Sequence, residues 1–242
     1  MECAKLNRYG VLAVTGADAR SFLHAQLTND IENLPADRAA LAGWCSAKGR
    51  LLATFLVIPS PDGFLLQLSR DLAAPVAKRL SMFVLRAKVK VTDESDAWAQ
   101  YGVWGSVEGS DVQWEGTVGT VRVDASRYLK LGKPLTLNET RSEEAWTLEE
   151  IRVGRPLITA ATQDQFVPQM VNLEALGGVN FQKGCYPGQE IVARAQYRGQ
   201  VKRRMVKVPA PAGAELKPGQ DFNGGVVVDS AGGEALAVMP LP

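Results

Sequence analysis

Short apolar, β-rich runs, some of them alternating with a period of two, are separated by turn residues along this chain, and a period near 3.6 takes over in four stretches. That pattern predicts an α+β protein with largely antiparallel sheets. Tyr9–Val14 alternates as a short strand. Thr15-Gly-Ala-Asp18 then turns into a helix whose stripe is Phe22, Leu23 and Leu27, with Thr15 or Asp18 as cap. This helix runs out at Thr28-Asn29-Asp30. Asp30 opposes the dipole there, unless it serves an Asx-type turn. Leu41–Ser46, Arg50–Ile58 and Phe64–Leu68 read as strands, separated by the turns Ala47-Lys-Gly49 and Pro61-Asp-Gly63. Leu72, Val76 and Leu80 form the stripe of a helix over 70–83, and Ala87, Val89 and Val91 alternate with Lys88, Lys90 and Thr92 as a half-buried strand. Short β-rich pieces follow at Tyr101–Trp104 and Val118–Val123. Thr140-x-x-Glu143 is spaced as a capping box for a helix to about Val153 that turns Trp146, Ile151 and Val153 toward the core. From Glu190 a short helix reaches toward Gly199, and the chain closes with β-rich segments around Ser230-Ala-Gly-Gly233. The expected division is a core over 1–203 and a small β module over 204–242, which has too little core to stand alone.

Composition narrows the chemistry. The 242 residues are 46% hydrophobic and 22% charged, with a net charge of +1, so any attraction to nucleic acid or an anionic membrane must come from a local patch. The N-terminus lacks a signal-peptide core and no run is long enough to span a bilayer. Cys3, Cys45 and Cys185 are widely spaced, which points to free thiols in a reducing cytoplasm. His24 is the single histidine. Zinc sites built on two or three histidines are excluded, and a nucleophile–histidine device could use only this one, whose ordinary reading is structural. With no Cys-x-x-Cys spacing, a housed iron–sulfur cluster is disfavoured. Neither Gly-x-Gly-x-x-Gly nor a Walker-type Gly-Lys-Ser/Thr occurs, which disfavours Rossmann and P-loop nucleotide chemistry.

One run concentrates specific residue types: Lys183-Gly-Cys-Tyr-Pro-Gly-Gln-Glu-Ile-Val-Ala-Arg194, followed by Tyr197-Arg198 and Lys202-Arg-Arg204. Pro187 suits a first helical turn. Cys185 then lies before a helix N-terminus with Lys183 two residues upstream, and both favour the thiolate, the reactive form of cysteine. The competing reading is a small buried apolar residue. In Gln165–Leu173, Gln169 and Asn172 can each donate and accept, which suits either a flat heteroaromatic edge or a loop that satisfies its own backbone.

The Lys183–Arg204 run resembles the signature of the YgfZ family, folate-binding proteins related to the T-protein (aminomethyltransferase) of the glycine cleavage system. Thr15–Asp30, Ser46-Ala-Lys-Gly-Arg50 and Phe166–Val179 match in the same order, so the resemblance covers about residues 9–205. It implies a T-protein-like α+β core around a central channel, closed by a small C-terminal β-barrel-like module. It also implies tetrahydrofolate or a derivative as cofactor, and support of iron–sulfur proteins such as radical-SAM tRNA-thiomethylating enzymes. Cys185 would be the functional thiol, with Lys183 beside it. A pterin needs amide or carboxylate partners and an aromatic platform, for which the matching motifs offer Asn29, Asp30, Gln169, Asn172 and Glu190, with Trp44, Tyr186 and Tyr197 for stacking. The anionic tail favours Lys48, Arg50, Arg194 or Arg198. Glu190 and Arg194, one turn apart, could instead pair with each other. A folate-dependent transferase is the alternative. No motif here matches the carboxylate that T-proteins place near the folate nitrogen, and Cys185 is not part of their pattern. Direct RNA binding through Arg194, Arg198, Lys202, Arg203 and Arg204 is a third reading, set against a solvated helix face and strand entry in a chain of near-neutral charge.

Overall fold

A computed structural model describes residues 1–199, 201–211 and 215–241. The chain divides into two compact units. The first comprises Met1–Leu23, Ile31–Ala40 and Phe55–Trp146, and the second His24–Asp30, Leu41–Thr54 and Thr147–Pro242.

In chain order the first unit begins with strands β1 (Glu2–Lys5) and β2 (Tyr9–Thr15), and helix α1 (Ala19–Gln26) follows. Strand β3 (Ala40–Cys45) pairs with β4 (Leu51–Ser60), and residues 41–45 with the first four residues of β4 belong to the second unit. The rest of β4 continues into the first unit beside β5 (Gly63–Ser69), which pairs in turn with β2. The register sets Leu12 opposite Leu66 and Val14 opposite Phe64. Helix α2 (Arg70–Ser81) buries Leu72, Val76 and Leu80, the stripe read from the sequence, and packs on β2 and on β6 (Lys90–Asp93). A second sheet has the order β1-β7-β10-β9-β8, where β7 is Ala99–Trp104, β8 Val112–Glu115, β9 Val118–Arg122 and β10 Arg127–Gly132. β1, β8 and β10 were not expected. β1 is four residues long with Glu2 and Lys5 at its ends, and β10 interleaves Arg127 and Lys130 with Leu129 and Leu131. Such short strands are fixed by their ladder partners rather than by propensity.

Helix α3 (Glu143–Arg152) confirms an expected element but corrects its start. The Ser142 hydroxyl accepts from the Ala145 N–H at 3.2 Å and supplies the cap. The two members of the expected box are used elsewhere: Thr140 accepts from the Cys3 N–H at 3.0 Å, and Glu143 from the Arg8 N–H at 2.7 Å. Trp146 and Ile151 are buried as expected. Val153 is not: it lies past the helix and is 46% exposed.

In the second unit a 3-10 turn (Pro168–Val171) and helix α4 (Gln189–Tyr197) precede the last sheet. That sheet contains β11 (Arg203–Pro209), β12 (Asp221–Phe222), β13 (Gly225–Ala231) and β14 (Glu234–Pro240), in the order β11-β14-β13-β12. Among the described residues it is an open antiparallel sheet and does not close into a barrel. Its own apolar cluster is small, built on Leu216, Val227 and Ala235.

Candidate functional site

The chemistry-bearing loop is anchored through Thr28. This buried residue pairs with Gly43 in both directions: its N–H donates to the Gly43 carbonyl at 2.9 Å, and its Oγ1 accepts from the Gly43 N–H at 2.7 Å. The same hydroxyl donates to the Gly178 carbonyl at 2.6 Å, and the Thr28 carbonyl accepts from the Asn180 N–H at 2.9 Å. Asn180 passes the constraint on, since its Oδ1 accepts from the N–H groups of Gln182 and Lys183 at 2.8 and 3.1 Å. Beyond the thiol, Gly188 caps α4 with φ +77, and a Cβ there would lie 2.4 Å from the Ser46 carbonyl oxygen and 2.7 Å from the Gly49 Cα. Only glycine combines that left-handed conformation with so close an approach. Gly188, not Pro187, therefore enters the helix. Cys185 lies four residues before the first helical residue, further from the dipole than the sequence suggests.

Lys183 reaches back to the C-terminal end of α1. Its ammonium donates to the main-chain carbonyls of His24 and Leu27, the latter at 2.8 Å, and lies 4.8 Å from the centre of the Tyr186 ring. A lysine in this place satisfies helix-end oxygens and complements the dipole. Burial lowers its pKa to about 8, while the Asp30 carboxylate and the Cys185 thiol pull it upward. Asp30 does not act alone at the helix end, because its Oδ1 lies 3.2 Å from His24 Nδ1. His24 Nε2 in turn lies 3.8 Å from where a Cβ on Gly184 would stand, beside the residue that precedes Cys185. In sequence His24 reads as a structural histidine and Thr28 carries no mark of its own. A helical histidine followed at i+6 by an aspartate past the helix end was the available signal for the first. For Thr28 there was none, because its role depends on the long-range partners Gly178 and Asn180.

All three cysteines are free, and they differ sharply. Cys3 and Cys45 are buried, and Cys185 is exposed. Burial, with a smaller push from Asp164, raises the Cys45 thiol to about 12. Burial also raises the Tyr186 phenol, with Cys45 adding to it.

The other expected site residues fall into distinct groups. Trp44 is only 1% exposed, a core side chain of β3. Asn29 is a structural pin: its Nδ2 donates to the carbonyls of Leu41 and Gly177 at 2.7 and 2.8 Å, and its Oδ1 accepts from the Asp30 N–H. Asn172 ends the 3-10 turn at φ +57, donates to the Met205 carbonyl at 2.8 Å and accepts from Arg204 at 2.9 Å, so its amide is committed to β11. Gln169 is fully buried. Its Nε2 donates to the Val192 carbonyl at 2.8 Å, which fixes the direction of the amide, and its Oε1 has no hydrogen-bond partner among the described residues. Lys48 and Arg50 are exposed on the β3–β4 turn, where Arg50 donates to the Asp164 carbonyl at 3.3 Å. Glu190, Arg194, Tyr197 and Arg198 lie exposed on or just past α4, and Tyr197 meets Phe181 edge to face at 5.8 Å. Of the five cations considered for RNA, Arg203 is engaged with the Gly224 carbonyl and Arg204 with Asn172 and Glu174.

The fold defines the class. It is that of the glycine cleavage system aminomethyltransferase T from Bartonella henselae, with a TM-score of 0.74 over 99% of this chain and 78% of that one, at 14% identity. No family model matches the chain. The tRNA-modifying proteins YgfZ of Shigella sonnei and of Escherichia coli O157:H7 are each 30% identical to it over 243 aligned residues, covering 90% of this chain and 74% of theirs. The YgfZ of Serratia proteamaculans is 30% identical over 244, covering 89% and 73%. The chain belongs to the YgfZ family.

Proposed function

We propose that this protein binds tetrahydrofolate or a derivative and supports tRNA modification, with Cys185 as its functional thiol. The observation that carries the reading is the single exposed cysteine, set on a loop held by Lys183, Asn180 and Gly188 beside the His24–Asp30 pair. A thiol needs access and a nearby charge to react, and the other two cysteines lack the access. Family membership supports the tRNA connection, and the T-protein-like fold supports the folate. The fit of the cofactor rests on Gln169. Its carbonyl oxygen has no donor among the described residues and would pair with an N–H of a pterin edge once the side chains that cover it move aside, which removes the cost of an unsatisfied acceptor. Arg50 and Lys48 are available to an anionic tail. When bound, the folate would supply one-carbon chemistry, while the chain's own contribution is binding and a positioned thiol. The partners in this reading are iron–sulfur enzymes that thiomethylate tRNA, and three free thiols favour a reducing, cytoplasmic setting.

Titration of the protein with tetrahydrofolate, followed by tryptophan fluorescence, tests the cofactor, and absence of saturable quenching rejects it. For the thiol, Cys185→Ala is expected to keep folate binding and lose the ability to restore tRNA thiomethylation in cells lacking the protein. Full restoration would reduce Cys185 to a packing residue. The likeness to an aminomethyltransferase favours a second reading, folate-dependent one-carbon transfer. Sustained turnover of an aminomethyl-lipoyl carrier would establish it in place of the accessory role.

A further inference from the structure

Residues 78–90, from the last turn of α2 to the start of β6, read Lys-Arg-Leu-Ser-Met-Phe-Val-Leu-Arg-Ala-Lys-Val-Lys. Five are cations and none is an acid, in a chain whose net charge is only +1, and all five are exposed. Between them Met82, Phe83 and Leu85 are 70%, 44% and 87% exposed. Of the nine exposed large apolar side chains among the described residues, three therefore fall within four consecutive positions. Single exposed apolar residues are ordinary, but a cluster flanked on both sides in sequence by cations, five against the Asp18 carboxylate at Lys88 and Glu94 near Lys90, marks a contact surface. The tip is also held in place. The N–H groups of Phe83 and Val84 donate to the carbonyls of Leu80 and Ser81. Beyond the tip, the Lys88 N–H donates to the Asp18 carboxylate at 2.7 Å, and the Asp18 N–H donates back to the Lys88 carbonyl at 3.3 Å.

We propose that this tip is a reversible docking site for an anionic lipid surface. An apolar tip as exposed as Leu85 needs no matching cleft to enter the boundary between headgroups and acyl chains, while the surrounding Lys and Arg meet lipid phosphates. Nucleic acid is the less suitable occupant, because single-stranded bases stack on aromatic platforms and the tip offers one ring among aliphatic side chains. Among the described residues no helix is long and apolar enough to cross a membrane, so the association is peripheral. Each signal alone is weak, and the two together give binding that reverses readily.

Co-sedimentation of the intact chain with phosphatidylcholine vesicles, with and without phosphatidylglycerol, tests the assignment. The expected result is binding that requires phosphatidylglycerol and falls as salt rises. Arg86→Glu or Lys88→Glu should lower the partition about fivefold or more. Combined Met82→Ser and Leu85→Ser should abolish it. These side chains are exposed, so the unfolding midpoint of each variant should match the parent and report that the fold is intact. Absence of binding to the anionic vesicles overturns the proposal, and so does binding that these variants leave unchanged. A tRNA gel shift that the same variants abolish, without vesicle binding, would assign the surface to nucleic acid instead. None of these outcomes depends on whether folate binds.

Discussion

Burial holds the Lys183 amine near 8, below the 10.5 it has in the unfolded chain, even though Asp30 and Cys185 favour its charged form. Between those two values the unfolded chain keeps a proton that the folded protein has released, so folding stability rises with pH across that window. Below about pH 8 the buried ammonium costs the fold its full desolvation penalty. Comparing wild type with Lys183→Met by denaturant unfolding isolates this group. The wild type should gain on the variant between pH 8 and 10.5, by on the order of 3 kcal/mol at most. A difference that stays flat with pH would show that the amine is not desolvated. The cysteines give a second residue-scale expectation. Iodoacetamide should label native protein at Cys185 alone, as read by mass spectrometry, because Cys3 and Cys45 are buried and the Cys45 thiol is pushed up to about 12. Cys185 was legible in the sequence as a thiol between a lysine and a helix. His24 was not, because its significance comes from Asp30, placed beside it only when the chain turns after α1.

At the scale of elements, the loop that carries the thiol depends on two tight turns meeting. Gly49 has φ +68, and a Cβ on it would stand 2.8 Å from Ile191 Cβ. Gly188 presses on Gly49 from the other turn. Gly188→Ala should destabilise the protein by about 2 kcal/mol or more through left-handed strain and the clash with Ser46, measurable as a lower denaturant midpoint with unchanged slope. Asn172→Ala should cost about 1–3 kcal/mol, because it removes the bonds to Met205 and Arg204 and leaves alanine in a left-handed position. β2, β4 and β5 were readable as apolar, β-rich runs bounded by turn residues and buried on both faces, and α2 by its stripe of period 3.6. The start of α3 was misread for a local reason. Thr140 and Glu143 have the spacing of a capping box, but Cys3 and Arg8, distant in sequence, claim both side chains. Asn172 is a similar case. Its amide was suited in sequence to a ligand or to a backbone, and the fold gives it to β11.

At the scale of the molecule, the cluster that the last sheet builds with Leu216 around Val227 and Ala235 is small, its other buried side chains include Met205, Val228, Leu236 and Val238, and residues 147–242 share a compact unit with 41–54. A fragment of residues 204–242 should therefore show no cooperative unfolding by circular dichroism, since its small cluster cannot offset the entropy of ordering the segment. The family was legible from four motifs in order. The boundaries of the compact units were not, because the chain leaves and re-enters each unit within single elements such as α1 and β4, where no change in composition marks the passage.

The grip of Lys183 on α1 also bears on how this site can change over generations. The lysine holds main-chain oxygens, those of residues 24 and 27, and these are present whatever side chains stand there. Drift at position 24 is thus invisible to Lys183. Loss of the lysine itself has no such substitute, because another side chain of that reach and charge would have to arise at the same point of the loop. A saturation library scored for folding alone should accordingly record a permissive position 24 and an exacting lysine, while any demand on the imidazole comes through Asp30 and the thiol loop.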